Sequence, residues 1–512
     1  MTATLNLPKG NVTYAFFWLL LTFSLTFVAC KKEQVPATPP PTHVAADPND
    51  VYRIAFSKTL AKAVKDEPAV RSFIKTEATR MFDNDYDILY QAAKDKKLAN
   101  GRTLQETLFK YADDAEGFRT ASEQLPLLTI YVPELPNFSA EKWHAETEIP
   151  QVAIKQADKA GTSIYDAAGK ETVLGNSDIP GFPLLVVKSN ERVINTNATS
   201  DARQLKNVFY ANARYSFAFL DDAFDGSKPK KPAPSNERLA LSIDQTLIDA
   251  YNSGTEWQRD YIYYGITPTN TVGKFTNRYS EFITSFSFTK PEHLGLISTH
   301  ANDPKAVTDK VLQRPYWIDG RFEIRISIFL NSKNAVGQEL RKYFTATGPE
   351  LFTLEYDSTK LAIGNIYLYH FTQATPRVYN PNIEIVPWDL EQYGSIWKFV
   401  VSEYDPAEEI TRTVTNTTTY GSNFEINVST GEKLKIGGKF GASATTTHTE
   451  SYQYKTTTGS QDLAEGVLDF RYPVITNIGQ IYIPFIGMRT IYLTYKVSTG
   501  TVTFSVEPKK LY

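Results

Sequence analysis

The spacing of apolar residues changes along the chain, and each change predicts a different kind of structure. Val51, Ile54, Ala55, Phe56, Leu60 and Val64 follow a helical stripe of about 3.6 residues. Asp66 followed by Pro68 predicts a fresh helix start with proline in its first turn. Val70, Phe73, Ile74, Ala78 and Met81 continue the stripe, and Thr103 with Glu106 forms a capping-box pattern before Leu104, Leu108 and Phe109. Residues 50–120 are therefore expected to be helical. From residue 125 the pattern shifts to short apolar runs at 127–132, 151–154 and 183–187, divided by Pro, Gly and Asp, as strands joined by turns would be. Ala168-Gly169, between Tyr165 and Val173, reads as a hairpin tip.

Residues 200–224 show no clear period, and 226–235, rich in Lys, Pro and Ser, reads as a linker. A helix is expected over 238–251, followed by a Tyr-rich segment at 259–266. Beyond 315 the pattern is that of strands. Phe322, Ile324, Ile326 and Ile328 alternate with Glu323, Arg325 and Ser327, which predicts a half-buried strand with one wet face. Further strands are expected at 363–371, 383–386 and 397–403, and around Thr499-Gly500. Fourteen of the 49 residues in 410–458 are threonine, and the apolar positions Phe424, Ile426 and Val428, then Leu434 and Ile436, alternate with polar ones in a hairpin pattern.

These elements predict an α+β fold, mainly β: an N-terminal helical segment, then β-rich domains, the last of them sandwich-like. The expected division is a leader at 1–29, a Pro-rich tether at 30–49, a helical-then-β domain at 50–225, a linker at 226–236, an α+β to β-sandwich domain at 237–400, and a Thr-rich β region at 401–512 packed with it. Aromatic abundance, with 30 Tyr, 30 Phe and 6 Trp, favours β structure.

The leader is an address. Residues 15–28 form an apolar run of 14, shorter than the roughly 20 residues a membrane-spanning helix needs. Lys9 precedes the run, and Phe27-Val28-Ala29-Cys30 ends it at the only cysteine in the chain. This arrangement resembles the bacterial lipoprotein signal, with Phe27 where that signal usually has leucine. The resemblance implies cleavage before Cys30, acylation at Cys30, and anchoring to a bilayer by fatty chains, each buried CH₂ contributing about 0.8 kcal/mol. In that family Asp after the cysteine marks inner-membrane retention. Lys31 stands here, so the outer membrane is expected. Surface-displayed relatives often carry an acidic cluster after the cysteine, and this chain has only Glu33.

Charge and composition narrow the chemistry. A net charge of −3 excludes a global basic footprint for nucleic acid, and one cysteine excludes intramolecular disulfides and Cys-rich zinc modules. No serine-hydrolase elbow, zinc-protease helix or phosphate-binding loop motif occurs, so no catalytic residue and no cofactor is expected. Asp83, Asp85 and Asp87 alternate like the start of a calcium loop. Ile88 replaces the turn glycine and Lys94 stands at the twelfth position, so the favoured expectation is a solvated helix–helix junction with Asp87 capping 88–93. Asp221, Asp222 and Asp225 form a second acidic group, read as a turn before the linker. His293 and His300 lack a metal-ligand spacing. Trp257, Tyr261, Tyr263 and Tyr264 are candidates for a sugar platform, although such aromatics more often fill cores.

Two further resemblances bear on function. The segments around Phe73-Ile74-Lys75, Phe82-Asp83-Asn84-Asp85-Tyr86-Asp87-Ile88-Leu89-Tyr90, Ser189-Asn190-Glu191-Arg192-Val193 and Tyr263-Tyr264-Gly265-Ile266-Thr267-Pro268 are similar to uncharacterised Bacteroidetes lipoproteins, which implies a location without an assigned activity. The Thr-rich 410–458 resembles the insertion hairpin of aerolysin-type pore formers, which implies a polar face for water and an apolar face for lipid. The leading expectation is a non-enzymatic envelope lipoprotein with a protein or glycan partner. Behind it stand a lipid-anchored hydrolase of glycans or peptides, and a pore former.

Overall fold

A computed structural model describes residues 48–511, except 155, 157–160, 176–177, 198–207, 229–242, 255–257, 268–272, 298–315, 319, 331–338, 364–365, 390–391, 405–408, 422–423, 428–431, 436–444 and 458–460. Cys30, Trp257, His300 and most of the expected linker lie outside the described residues.

The helical segment forms as its periodicity predicts. Helices Asp50–Asp66 and Pro68–Thr79 meet at Glu67, with Pro68 in the first turn of the second. Thr103 and Glu106 close the capping box on Leu104–Phe109. The first helix buries Phe56, Leu60 and Val64, with Phe56 ringed by Tyr90 and Phe118 at 5.0 and 5.4 Å. It packs on a six-stranded sheet ordered Asp87–Leu89, Leu128–Tyr131, Leu184–Ser189, Gln151–Ile154, Thr162–Tyr165, Glu171–Leu174. The expected tip at Ala168-Gly169 joins the last two strands, with Gly169 at a φ of +75° that suits glycine.

The C-terminal half is two antiparallel sheets packed face to face. One runs Glu339–Ala346, Phe322–Phe329, Ile396–Glu403, Gln461–Asp469; the other runs Ile383–Glu384, Tyr279–Phe288, Val502–Lys510, Val497–Ser498. Phe344 meets Phe286 at 5.2 Å and Phe399 meets Phe504 at 5.1 Å, so aromatic side chains fill the space between the sheets. The chain is thus α+β and mainly β, with a helical N-terminal segment. Strand Asp178–Pro180 pairs with Ile366–Pro376, and Val44–Tyr512 forms one compact unit.

The Thr-rich region supplies two hairpins. Glu409–Gly421 pairs with Thr445–Thr457, and Phe424–Asn427 pairs with Glu432–Lys435. The longer hairpin covers the first C-terminal sheet, where Val414, Tyr452 and Tyr454 pack on Phe329 and Val400. Thr413, Thr415, Thr417 and Ser451 face outward. This cover corrects the expected wet face of Phe322–Phe329: the strand is buried along its whole length. Arg325 donates to Thr456 Oγ1 at 2.6 Å beneath the hairpin, Ser327 donates to Glu339 at 2.6 Å, and Glu323 turns into a charged cluster. Alternation of apolar and polar residues reported a strand correctly but not what lay on its second face.

Candidate functional site

Asp83, Asp85 and Asp87 converge, but not in a solvated junction. All three are buried, Asp87 lies in a strand, and the N-cap of the following helical turn is Leu89. They surround Arg192. Its Nη2 donates to Asp85 Oδ2 at 3.0 Å and to the Arg321 carbonyl at 2.7 Å, and its Nη1 lies 3.9 Å from Asp83 and 3.8 Å from Asp87. Its Nε faces the Glu323 carboxylate directly. Lys188 stands 3.5 Å from Asp87 and 3.0 Å from Glu191, over the Tyr131 ring at 5.0 Å. Asn190 donates to Asp83 at 2.7 Å and accepts from the Arg192 backbone N–H at 2.9 Å.

Local structure builds this cradle. Lys188 is the penultimate residue of strand Leu184–Ser189, whose preceding residues are core, and the chain bends at Glu191 and Arg192 just after it. Met81 and Asn84 adopt positive φ, bending 81–87 around the arginine. Gly226 lies so close to the bend that an added Cβ would sit 1.9 Å from the Met81 carbonyl oxygen. The second acidic group therefore docks on the first. Asp221 caps the turn Asp222–Phe224, and Asn84 donates to the Ala223 carbonyl at 2.9 Å. Across the cradle, Gly320 has φ +80°, and a Cβ there would meet Asp85 Oδ2 at 2.5 Å.

The electrostatics follow from burial. Burial pushes Asp87 well above the usual carboxylate range, despite Lys188, and raises Asp83 despite Arg192. Burial also pushes Glu323 up to about 8. Burial opposes ionisation of Asp85 too, but Arg192 and Lys188 win and hold it below the ordinary value. Lys188 and Arg192 are disfavoured by burial, yet the surrounding carboxylates hold both above their ordinary values. Among the described residues no group of three or more His, Cys, Asp or Glu is set to hold a metal ion; here two protein cations take the place a metal would fill. Glu323, Lys188 and Arg192 escaped the sequence reading as members of one site. A charged residue in an otherwise apolar run, and an acid opening a strand that proves buried on both faces, were the available signals.

A second buried arginine has a simpler setting. Arg259 donates to Glu281 from Nε at 2.9 Å and from Nη2 at 3.2 Å, and to the carbonyls of Val506 and Tyr472. Its guanidinium lies 4.7 Å from the Phe470 ring centre. Burial raises Glu281 above its ordinary value.

The described tyrosines of the candidate sugar platform are divided. Tyr263 stacks on Phe275 and Tyr264 meets Trp388 edge-on, both within the core. Tyr261 and Tyr264 line a cavity of about 570 Å3 with Lys274, Arg278, Tyr279 and Lys510. A smaller cavity of about 270 Å3 lies between Phe82, Asp87, Leu89, Phe209 and Tyr210. His293 is buried, with a pKa lowered by burial. Compared with protein-family models, curated proteins and solved structures, the chain matches none.

Proposed function

We propose that the chain is a membrane-tethered envelope lipoprotein of the outer membrane that acts by binding rather than by catalysis. One observation carries the choice of binding over hydrolysis. The densest convergence of carboxylates, around Arg192, is sealed in the core and occupied by Arg192 and Lys188, so its charges join sheets instead of facing a cleft. A glycan hydrolase needs two carboxyl groups flanking a substrate-sized space. The cavity beside Tyr261, with Lys274, Arg278 and Lys510 at its wall, suits an anionic glycan or peptide partner. The membrane attachment is assigned to Cys30, on the resemblance of residues 15–30 to a lipoprotein signal.

The test is mass analysis of the chain purified from membranes. The expected product begins at an acylated Cys30, and Cys30→Ser leaves the membrane fraction or retains its leader. An unmodified thiol on protein with the leader attached overturns the reading.

A second reading, pore formation, is favoured by the long Thr-rich hairpin, which lies as a separate two-stranded layer with threonines outward. It predicts dye release from liposomes, lost on Ile426→Asp. No release at any concentration removes it.

A further inference from the structure

Hairpin Ile475–Ile483 with Gly487–Thr494 is a two-stranded sheet of its own. Its base is fixed. Gln258 clamps both backbone groups of Ile475, at 2.7 and 2.8 Å, and Tyr495 donates to the Val474 carbonyl at 2.9 Å. Its tip is bare. Tyr482, Pro484, Phe485, Ile486 and Met488 are exposed, and Phe485 fully so. Isolated two-stranded hairpins are marginal in water, so an apolar tip on one invites a covering medium.

The tip conformation adds an independent observation. Ile486 donates to the Ile483 carbonyl at 3.1 Å, closing a turn with Pro484 at its second position and Phe485 at its third. Phe485 has φ +67°, a backbone that glycine or asparagine adopts readily and a bulky residue does not. A strained, solvent-exposed phenylalanine is expected where the side chain itself has a task.

We propose that this tip inserts into the interface of an anionic phospholipid bilayer. Three features select a bilayer over a protein partner. The tip carries apolar side chains on both faces: Tyr482 and Met488 share one face, and Ile481 and Ile483 lie on the other, where Arg489 pairs with Ile481. A shaped protein groove reads one face, whereas a fluid apolar medium reads both. Arg489 is the only charged residue from 475 to 494, so the hairpin brings a cation and no acid to anionic headgroups. Asn477, Gln480 and Thr490 lie below the tip among apolar Ile478, Ile491 and Leu493, and the most exposed apolar side chains of the hairpin are those at its tip. The outer backbone edges of both strands are unpaired in this sheet, which limits insertion to the tip, because hydrocarbon leaves open edges unsatisfied. Tyr482 then sits at headgroup depth.

The inference does not depend on acylation. In a full-length Cys30→Ser, Ile486→Cys chain, residue 486 carries the only thiol and takes an environment-sensitive fluorophore. Vesicles of phosphatidylcholine with phosphatidylglycerol should raise its emission roughly threefold or more, and nitroxides at shallow acyl positions should quench it. The same label at Thr417→Cys should not respond. Adding Phe485→Gly should remove most of the gain without lowering the melting temperature. An unchanged signal on vesicle addition overturns the proposal. So does an equal gain on vesicles of phosphatidylcholine alone, or at Thr417, or from raised protein concentration without lipid, which would show a second copy covering the tip. Mass analysis of Cys30 reads the tether and this label reads the tip, so the two readings fail separately.

Discussion

Arg192 and Arg259 are both buried, and their surroundings differ in charge balance. Arg259 meets one carboxylate, Glu281, through a forked pair of bonds, and spends its other donors on two backbone carbonyls. Arg192 faces Asp83, Asp85, Asp87 and Glu323, with Lys188 as a second cation in the cluster and Glu191 on Lys188. A balanced pair satisfies itself by geometry. In the acid-rich cluster burial, with neighbouring carboxylates adding to it, raises Asp83, Asp87 and Glu323, so the cluster retains protons. Burial raises Glu281 as well, so the two sites differ in number: one raised carboxyl at Arg259 and three around Arg192.

Arg192→Met should separate them most. It leaves several buried carboxylates without their cation, at a cost of about 3–5 kcal/mol, measured by denaturant unfolding. Arg259→Met leaves one carboxylate, which protonates in place, and should cost about 3 kcal/mol. Pairing that change with Glu281→Leu should recover most of the loss, because an apolar pair replaces an apolar-sized gap. No single companion change rescues Arg192→Met, since its acids come from two distant segments of the chain, 83–87 and Glu323. Equal costs for the two single variants, or full rescue of Arg192→Met by Glu323→Leu, would erase the distinction.

The balance of legible and hidden features has a physical pattern. Helix starts at Pro68 and Thr103, the turn at Gly169 and the strand at 322–329 depend on near neighbours, and all appear where the residues predict them. The cradle depends on partners such as Arg192 with Asp85 and Arg321 with Asp85, 107 and 236 positions apart, which no local period encodes. Asp83, Asp85 and Asp87 therefore looked like a surface junction, although their alternation did mark one site. The wet face assigned to Glu323 and Arg325 failed for the same reason: the covering hairpin lies far along the chain. Tyr263 and Tyr264 mattered as core, not as a platform.

The most specific effect is in pH. Glu323 ionises near 4.5 when unfolded and near 8 in the folded protein. Between those values the folded chain holds a proton that the unfolded chain has released, so raising the pH favours unfolding by about 1.4 kcal/mol per pH unit for that one proton. Its contribution is complete below pH 4.5 and is lost progressively as the pH rises to about 8. Asp83, Asp87 and Glu281 act with the same sign. Asp85, held low, acts oppositely and loses its contribution as the pH falls through the acid range. Stability should therefore peak on the acid side of neutrality. Glu323→Gln fixes the neutral form and should remove one proton's share of the alkaline slope, matching the parent near pH 5 and exceeding it near pH 8. Urea unfolding across that range checks it. A parent whose stability is flat or rising over the range would mean that the cluster around Arg192 stores no proton.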